Sequence, residues 1–165
     1  MEGSSLVRFR RMFIDRLAQE VSNVSYQAPT LPEDMLGGDG SGAAVWWSDD
    51  VDADVSVELM VGGGHVWYDE KYVATLRIQG LGLSTDDDQY ACDQRANDIL
   101  GHVMVLLGLQ GVAGYQLDLD TTEIEVFEYV LDGWKWTGGL IGTMGNAARF
   151  EVRIAVHGRV KIGAS

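Results

Sequence analysis

Tyr72-Val-Ala-Thr-Leu-Arg-Ile-Gln79, then Gly80-Leu-Gly-Leu-Ser-Thr-Asp-Asp-Asp-Gln89, then the run to Gly108, is the stretch whose reading decides the fold. The first eight residues alternate with a period of two. Ala74, Leu76 and Ile78 share one face and Thr75, Arg77 and Gln79 the other, the pattern of a half-buried strand. Gly80 and Gly82 punctuate the chain. Ser84 or Thr85 is placed to cap a helix opening on Asp86, Asp87 and Asp88, three carboxylates at the positive end of its dipole. Cys92, Ala96, Ile99, Leu100, Val103, Leu106 and Leu107 recur at spacings of three and four and form one apolar stripe. Gly108 fits the left-handed residue that closes such a helix. A helix of about 20 residues spans roughly 30 Å, the width of a small domain, so the rest of the fold is expected to pack around it.

The chain has 165 residues, 46% of them hydrophobic, which suits a single domain over 1–165 with its own core. A net charge of -13 argues against wrapping nucleic acid through its phosphates. Cys92, the single cysteine, sits on the apolar stripe and reads as a buried thiol, so no disulfide forms within one chain. No segment has the apolar length of a membrane span, and the basic N-terminal stretch lacks the apolar core of a signal peptide. A soluble protein made in a cytoplasm is the expectation.

Charge is unevenly distributed. Arg8, Arg10, Arg11 and Arg16 fall in the first sixteen positions, and Arg149, Arg153, Arg159 and Lys161 in the last seventeen. Between Arg16 and Lys71 there are eleven acidic residues and no Lys or Arg. One account is solubility; the other is a two-signed surface suited to docking on copies of itself or on a complementary partner.

Taken in order, Leu6, Phe9, Phe13, Leu17 and Val21 predict a first amphipathic helix starting at Ser4 or Ser5. Pro29 and Pro32, then Gly37-Gly-Asp-Gly-Ser-Gly42, predict a flexible acidic and glycine-rich insertion around 33–54. Within it, Trp46 and Trp47 beside clustered carboxylates read as an interface anchor, the alternative being an edge strand that buries one indole. Val55 to Met60 alternates as a strand, Gly62-Gly-Gly64 is a turn, and His65 to Asp69 leads into the central unit. After the long helix, Gln116 to Asp120 alternates briefly and Thr121 to Asp132 is a strand. Gly133 to Asn146 reads as a second glycine-rich connection carrying Trp134 and Trp136. In the last strand Phe150, Val152, Ile154 and Val156 face inward. The sum is an α+β fold, a largely antiparallel sheet of four to five strands with two helices packed on one face.

The chain carries no nucleophile elbow, Walker loop, CxxC, HExxH or EF-hand loop. His65, His102 and His157 lack ligand spacing. Asp118, Asp120, Glu123, Glu125 and Glu128 read as a solvated acidic face, as do Asp49, Asp50, Asp52 and Asp54. No catalytic residue, metal or cofactor is expected.

The order of these pieces resembles the tail terminator proteins of long, non-contractile-tailed bacteriophages. The stretches that carry the resemblance are Val73-Ala-Thr-Leu-Arg-Ile-Gln79 with the helix after it, and Gly138-Gly-Leu-Ile-Gly-Thr-Met-Gly-Asn-Ala-Ala-Arg-Phe-Glu-Val-Arg-Ile-Ala-Val156. The layout covers most of the chain; the acidic insertion at 39–54 has no counterpart in the family pattern. The resemblance implies a structural virion protein and not an enzyme. It implies a ring of six copies, assembled in the host cytoplasm, that caps the head-proximal end of the tail tube. Its partners would be itself, the tail tube protein and the head-tail connector, with DNA passing through the lumen without specific binding. The expected contact residues are Trp46, Trp47, Trp134 and Trp136, with Arg8, Arg11, Arg149 and Arg153 as charge partners. Two alternatives stand beside it. One is another connector or tube subunit; the other, of a different class, is a small ligand-binding or enzymatic α+β domain with a pocket between sheet and helices.

Overall fold

The computed structural model describes residues 2–27, 42–61, 64–81, 89–140 and 146–163. Helix α1 (Leu6–Glu20) precedes β1 (Gly42–Trp47), β2 (Ala53–Val61) and β3 (His65–Leu81). Helix α2 (Gln89–Gly108) then leads to β4 (Ile124–Leu140) and β5 (Asn146–Gly163). All strand pairs are antiparallel, in the order β1-β3-β5-β4, and β2 pairs with the first half of β3 on the edge that β1 occupies along the second half. The fold is α+β, a five-stranded antiparallel sheet with both helices packed against it.

β3 and β5 pair without interruption from His65↔Gly163 to Leu81↔Ala147. At about 3.3 Å per residue, the 17 residues of β3 reach roughly 55 Å. Strict alternation keeps the long pair in register, since a slip by one would send every apolar side chain to the wrong face. Tyr72, Ala74, Leu76, Ile78, Phe150, Val152, Ile154 and Val156 point to the helices and are buried with Phe9, Phe13 and Leu17 of α1. The α2 stripe lands as its spacing predicts, with Cys92, Ala96, Ile99, Leu100, Val103, Leu106 and Leu107 all buried.

Two close fits hold the helices on the sheet. Gly80 is not a break in the chain but part of β3; a Cβ there would lie 2.6 Å from the Cys92 carbonyl oxygen and 3.3 Å from the Ala96 nitrogen. Only a residue without a side chain lets the α2 backbone come this near. At α1, Ser5 offers no side-chain cap of its own. Glu70 of β3, 3% exposed, takes that role: Ser5 N donates to Oε1 at 2.7 Å and Ser4 Oγ to Oε2 at 2.9 Å. A carboxylate is well placed here, against free N–H groups and the positive helix end. The Ser5 and Tyr72 hydroxyls share a hydrogen bond of 3.0 Å beside it. Burial pushes the Tyr72 phenol pKa up, helped by the Glu70 charge and opposed by the Ser5 hydrogen bond.

Several expectations change. Residues 42–47, placed in the flexible insertion, form β1 inside the sheet, because Ala43 and Val45 face the core and pair with Gly80 and Ile78. Residues 28–41 and the expected helix-start signals at 82–88 lie outside the described residues. Gly108 is the last residue of α2 and not a left-handed cap; the left-handed glycine comes at Gly114 (φ +91°). Gln116 to Asp120 forms no strand, though Leu119 is buried and Leu117 packs on the core. Finally, Trp134 and Trp136 lie in a strand and not in a connection. β4 runs through to Leu140, accommodating Gly133 (φ +139°) at a bulge between Leu131 and that glycine.

Candidate functional site: the open sheet edges

With both helices on one side, the opposite face of the sheet has no covering layer among the described residues. Of the 12 Lys and Arg, five lie on the helices, and the other seven all project from this outer face. Cross-strand carboxylates partner several of them. Arg159 lies 2.8 Å from Glu125, Arg77 3.5 Å from Glu151 and Arg153 3.6 Å from Asp132. His157 Nε2 sits 2.7 Å from Asp69 Oδ1 with the Phe127 ring edge-on to the imidazole. Arg159 also covers Trp67, its guanidinium 4.4 Å from the ring centroid. A groove of about 570 Å³ crosses the middle of the face, lined by Lys71, Val73, Thr75, Glu128, Val130 and His157 among others. These ladders keep the outer face near charge balance on a strongly acidic protein. Sequence periodicity marks which residues alternate outward, but which carboxylate meets which cation depends on register.

The four expected tryptophan contacts separate into different roles. Trp47 faces inward, its ring 5.8 Å from both Phe9 and Phe13, and its Nε1 donates to the Arg10 carbonyl at 3.0 Å. It fastens α1 to β1, which is the edge strand burying one indole. Trp46 turns to the outer face, packs on Ala44, Leu81 and Ala147, and lies under the Arg149 guanidinium at 5.5 Å. Trp134 and Trp136 lie on the helix side of β4, 51% and 43% exposed. Trp134 rests edge-on against Phe150 at 5.4 Å. Trp136 folds over Gly138, where a Cβ would clash with the indole. The structure therefore does not bring the two pairs together. They sit on opposite edges, with β3 and β5 between them, and Trp46 alone of the four lies on the outer face.

The arginines divide likewise. Arg8 is held within the chain, donating to the carbonyls of Leu119 at 2.9 Å and Asp118 at 2.7 Å. Arg149 donates twice to Gln79 Oε1. Arg11 projects from α1, 3.9 Å from Asp15, with its side chain 81% exposed. Arg153 is half-exposed against Asp132.

The acidic clusters are used locally. Asp120 Oδ1 accepts from Val126 N, Glu123 from the Glu2 backbone and Glu125 from Arg159. Among the described residues, no three His, Cys, Asp or Glu side chains come together in a way that could hold a metal ion. No described helix is long and apolar enough to cross a membrane.

One feature escaped sequence reasoning. Val55 and Val57 of β2 are 59% and 60% exposed, on the helix side of the sheet, because neither helix extends over this corner. Their alternation was visible, but only the helix positions reveal that no described helix covers them. Among the exposed apolar side chains, Val55 and Val57 on β2 and Trp134 and Trp136 on β4 stand as pairs at the two sheet edges, while Val7, Tyr90, Met104 and Val105 lie on the helices. No protein-family model and no curated protein sequence matches this chain.

Proposed function

We propose that this chain is a structural subunit of a phage tail, closing the head-proximal end of a long, non-contractile tail tube as a ring of like subunits. On this reading its contacts are with itself, with the tube protein and with the head connector. It works within the virion and catalyses no reaction. DNA would pass through the ring, where a net charge of -13 disfavours sticking. The observation that carries the reading is the placement of exposed apolar side chains. Four of them, Val55 and Val57 on β2 and Trp134 and Trp136 on β4, stand as i, i+2 pairs on two sheet edges that no further strand pairs among the described residues, as in a subunit built for lateral assembly.

The test is native mass spectrometry across protein concentrations, followed by negative-stain imaging. A closed ring with a central hole near six subunit masses is the expected result. Open tubes would reassign the chain to the tube itself. A second reading, a small-molecule binder, draws on the groove that holds Lys71, Glu128 and His157. Saturable binding of a small anion or metabolite there by a strictly monomeric protein would favour it.

A further inference from the structure

We infer that the β2 edge of one subunit pairs antiparallel with the β4 edge of the next, seating Trp134 and Trp136 on Val57 and Val55. This rests on the self-assembly reading above and specifies its interface. Among the described residues, β5 is the one strand paired with β4 and β3 the one strand paired with β2, so each has an edge open to a further strand. Side chains of Asp120 and Gln110 already bond the β4 backbone at Val126 and Tyr129, in its first half. The first half of β4 is poorly suited to pairing. It carries Glu125, Glu128 and Asp132 and two bulges, between Val126 and Glu128 and between Leu131 and Gly133. Beyond Gly133 the pairing is regular and no carboxylate occurs up to Leu140. Two exposed indoles mark this half.

The two edges complement each other in three ways. First, direction: with four strands abreast, β2 and β4 run opposite ways, so β4 meets the β2 of a like-oriented neighbour antiparallel. No subunit needs to be inverted, and repetition gives a heterologous contact, which makes a ring where the rotation between neighbours closes. Second, side chains: on the helix side an exposed i, i+2 pair of valines meets an exposed i, i+2 pair of tryptophans, an aromatic to β-branched pairing. Third, charge: on the outer face Lys135 falls opposite Ser56 and diagonal to Asp54, within reach of a lysine. In this register Glu125 and Glu128 run past the end of β2. A two-fold β4 to β4 pairing centred on this stretch would instead set Lys135 against Lys135, and a two-fold β2 to β2 pairing centred on Asp54 would set that carboxylate against its own copy. The occupant is therefore a second copy, joined edge to opposite edge.

Variants with one added cysteine test this directly, with wild type as the blank for buried Cys92. Oxidising a mixture of Ser56→Cys and Lys135→Cys subunits should give a disulfide-linked heterodimer, while neither variant alone should dimerise. Separately, Trp134→Ser with Trp136→Ser should leave the circular dichroism unchanged and weaken self-association roughly tenfold or more, as loss of paired aromatic anchors does. Cross-linking of Lys135→Cys with itself would overturn the inference in favour of a two-fold contact. A wild-type oligomer with no heterodimer trapped would overturn the edge assignment and leave the ring reading standing. A wild type that stays monomeric at every concentration and traps no heterodimer would overturn both.

Discussion

Trp46-Trp47 and Trp134-Lys-Trp136 differ by one residue of spacing, and that residue decides what each indole does. Adjacent residues on a strand point to opposite faces, so Trp47 enters the core and Trp46 lies on the outer face. Residues two apart share a face, so Trp134 and Trp136 stand side by side on the helix side of β4, about half-exposed. The first pair seals the molecule; the second leaves an apolar stripe at its margin. Composition treats the four as one class, while position in the sheet divides them into a fastener, a surface cover and two edge anchors.

Substitutions should reproduce that division. The largest stability loss is expected for Trp47→Ala, which removes contacts to Phe9 and Phe13 and an indole hydrogen bond. We expect about 3 kcal/mol, near the low end for aromatic truncation because the ring is half-buried, measured by urea unfolding. A loss no larger than that for Trp134→Ala would break the comparison. Gly80→Ala should cost about 2 kcal/mol, since the added methyl meets backbone of α2 that cannot step aside by itself. Glu70→Ala should cost about 1 to 2 kcal/mol by stripping the cap from α1, visible as early loss of protection at the first turn in hydrogen exchange.

The sealed side should also answer to alkali. The Tyr26 phenol, donating to the Val21 carbonyl at 2.6 Å, has its pKa pushed up by burial from 10.0 to about 12, and that of Tyr72 is raised further. The unfolded chain therefore releases these protons first as pH passes 10. Their contribution to stability is complete below pH 10 and lost as pH climbs toward the folded values. Tyr26→Phe should flatten the decline between about pH 10 and 12 in a urea titration. The smallest stability effect belongs to the open edge: Trp134→Ser and Trp136→Ser should each change unfolding free energy by under about 0.5 to 1 kcal/mol while altering oligomeric state. A large destabilisation there would place the indoles among the packing residues and remove the contrast.

Much of the architecture was legible. The stripes of α1 and α2 and the alternation of β5 were read at the right spacing, because each follows from local geometry and a single buried face. The long extent of β4 was not. Glycines at 133, 138 and 139 read as a connection, yet each has a use within the strand or at its end: one sits at a bulge, one makes room for Trp136 and one adopts φ +142°. Glu70 as the cap of α1 lay beyond any local rule, since its partners are 65 and 66 residues away in sequence. Of the expected contact residues, Trp47 and Arg8 carried the right chemistry but spend it inside the chain. Val55 and Val57 carried no signal until the helices were placed.

The sequence by itself determined the two helices and the buried faces of β3 and β5, because backbone geometry turns a period of two or of 3.6 directly into a side. It also determined an acidic protein with clustered cations. Tertiary structure alone decided which edges stay open, which cations find carboxylates, and which tryptophans remain available. Those outcomes depend on the order and register of strands far apart in the chain, and on where two helices of finite length stop covering the sheet.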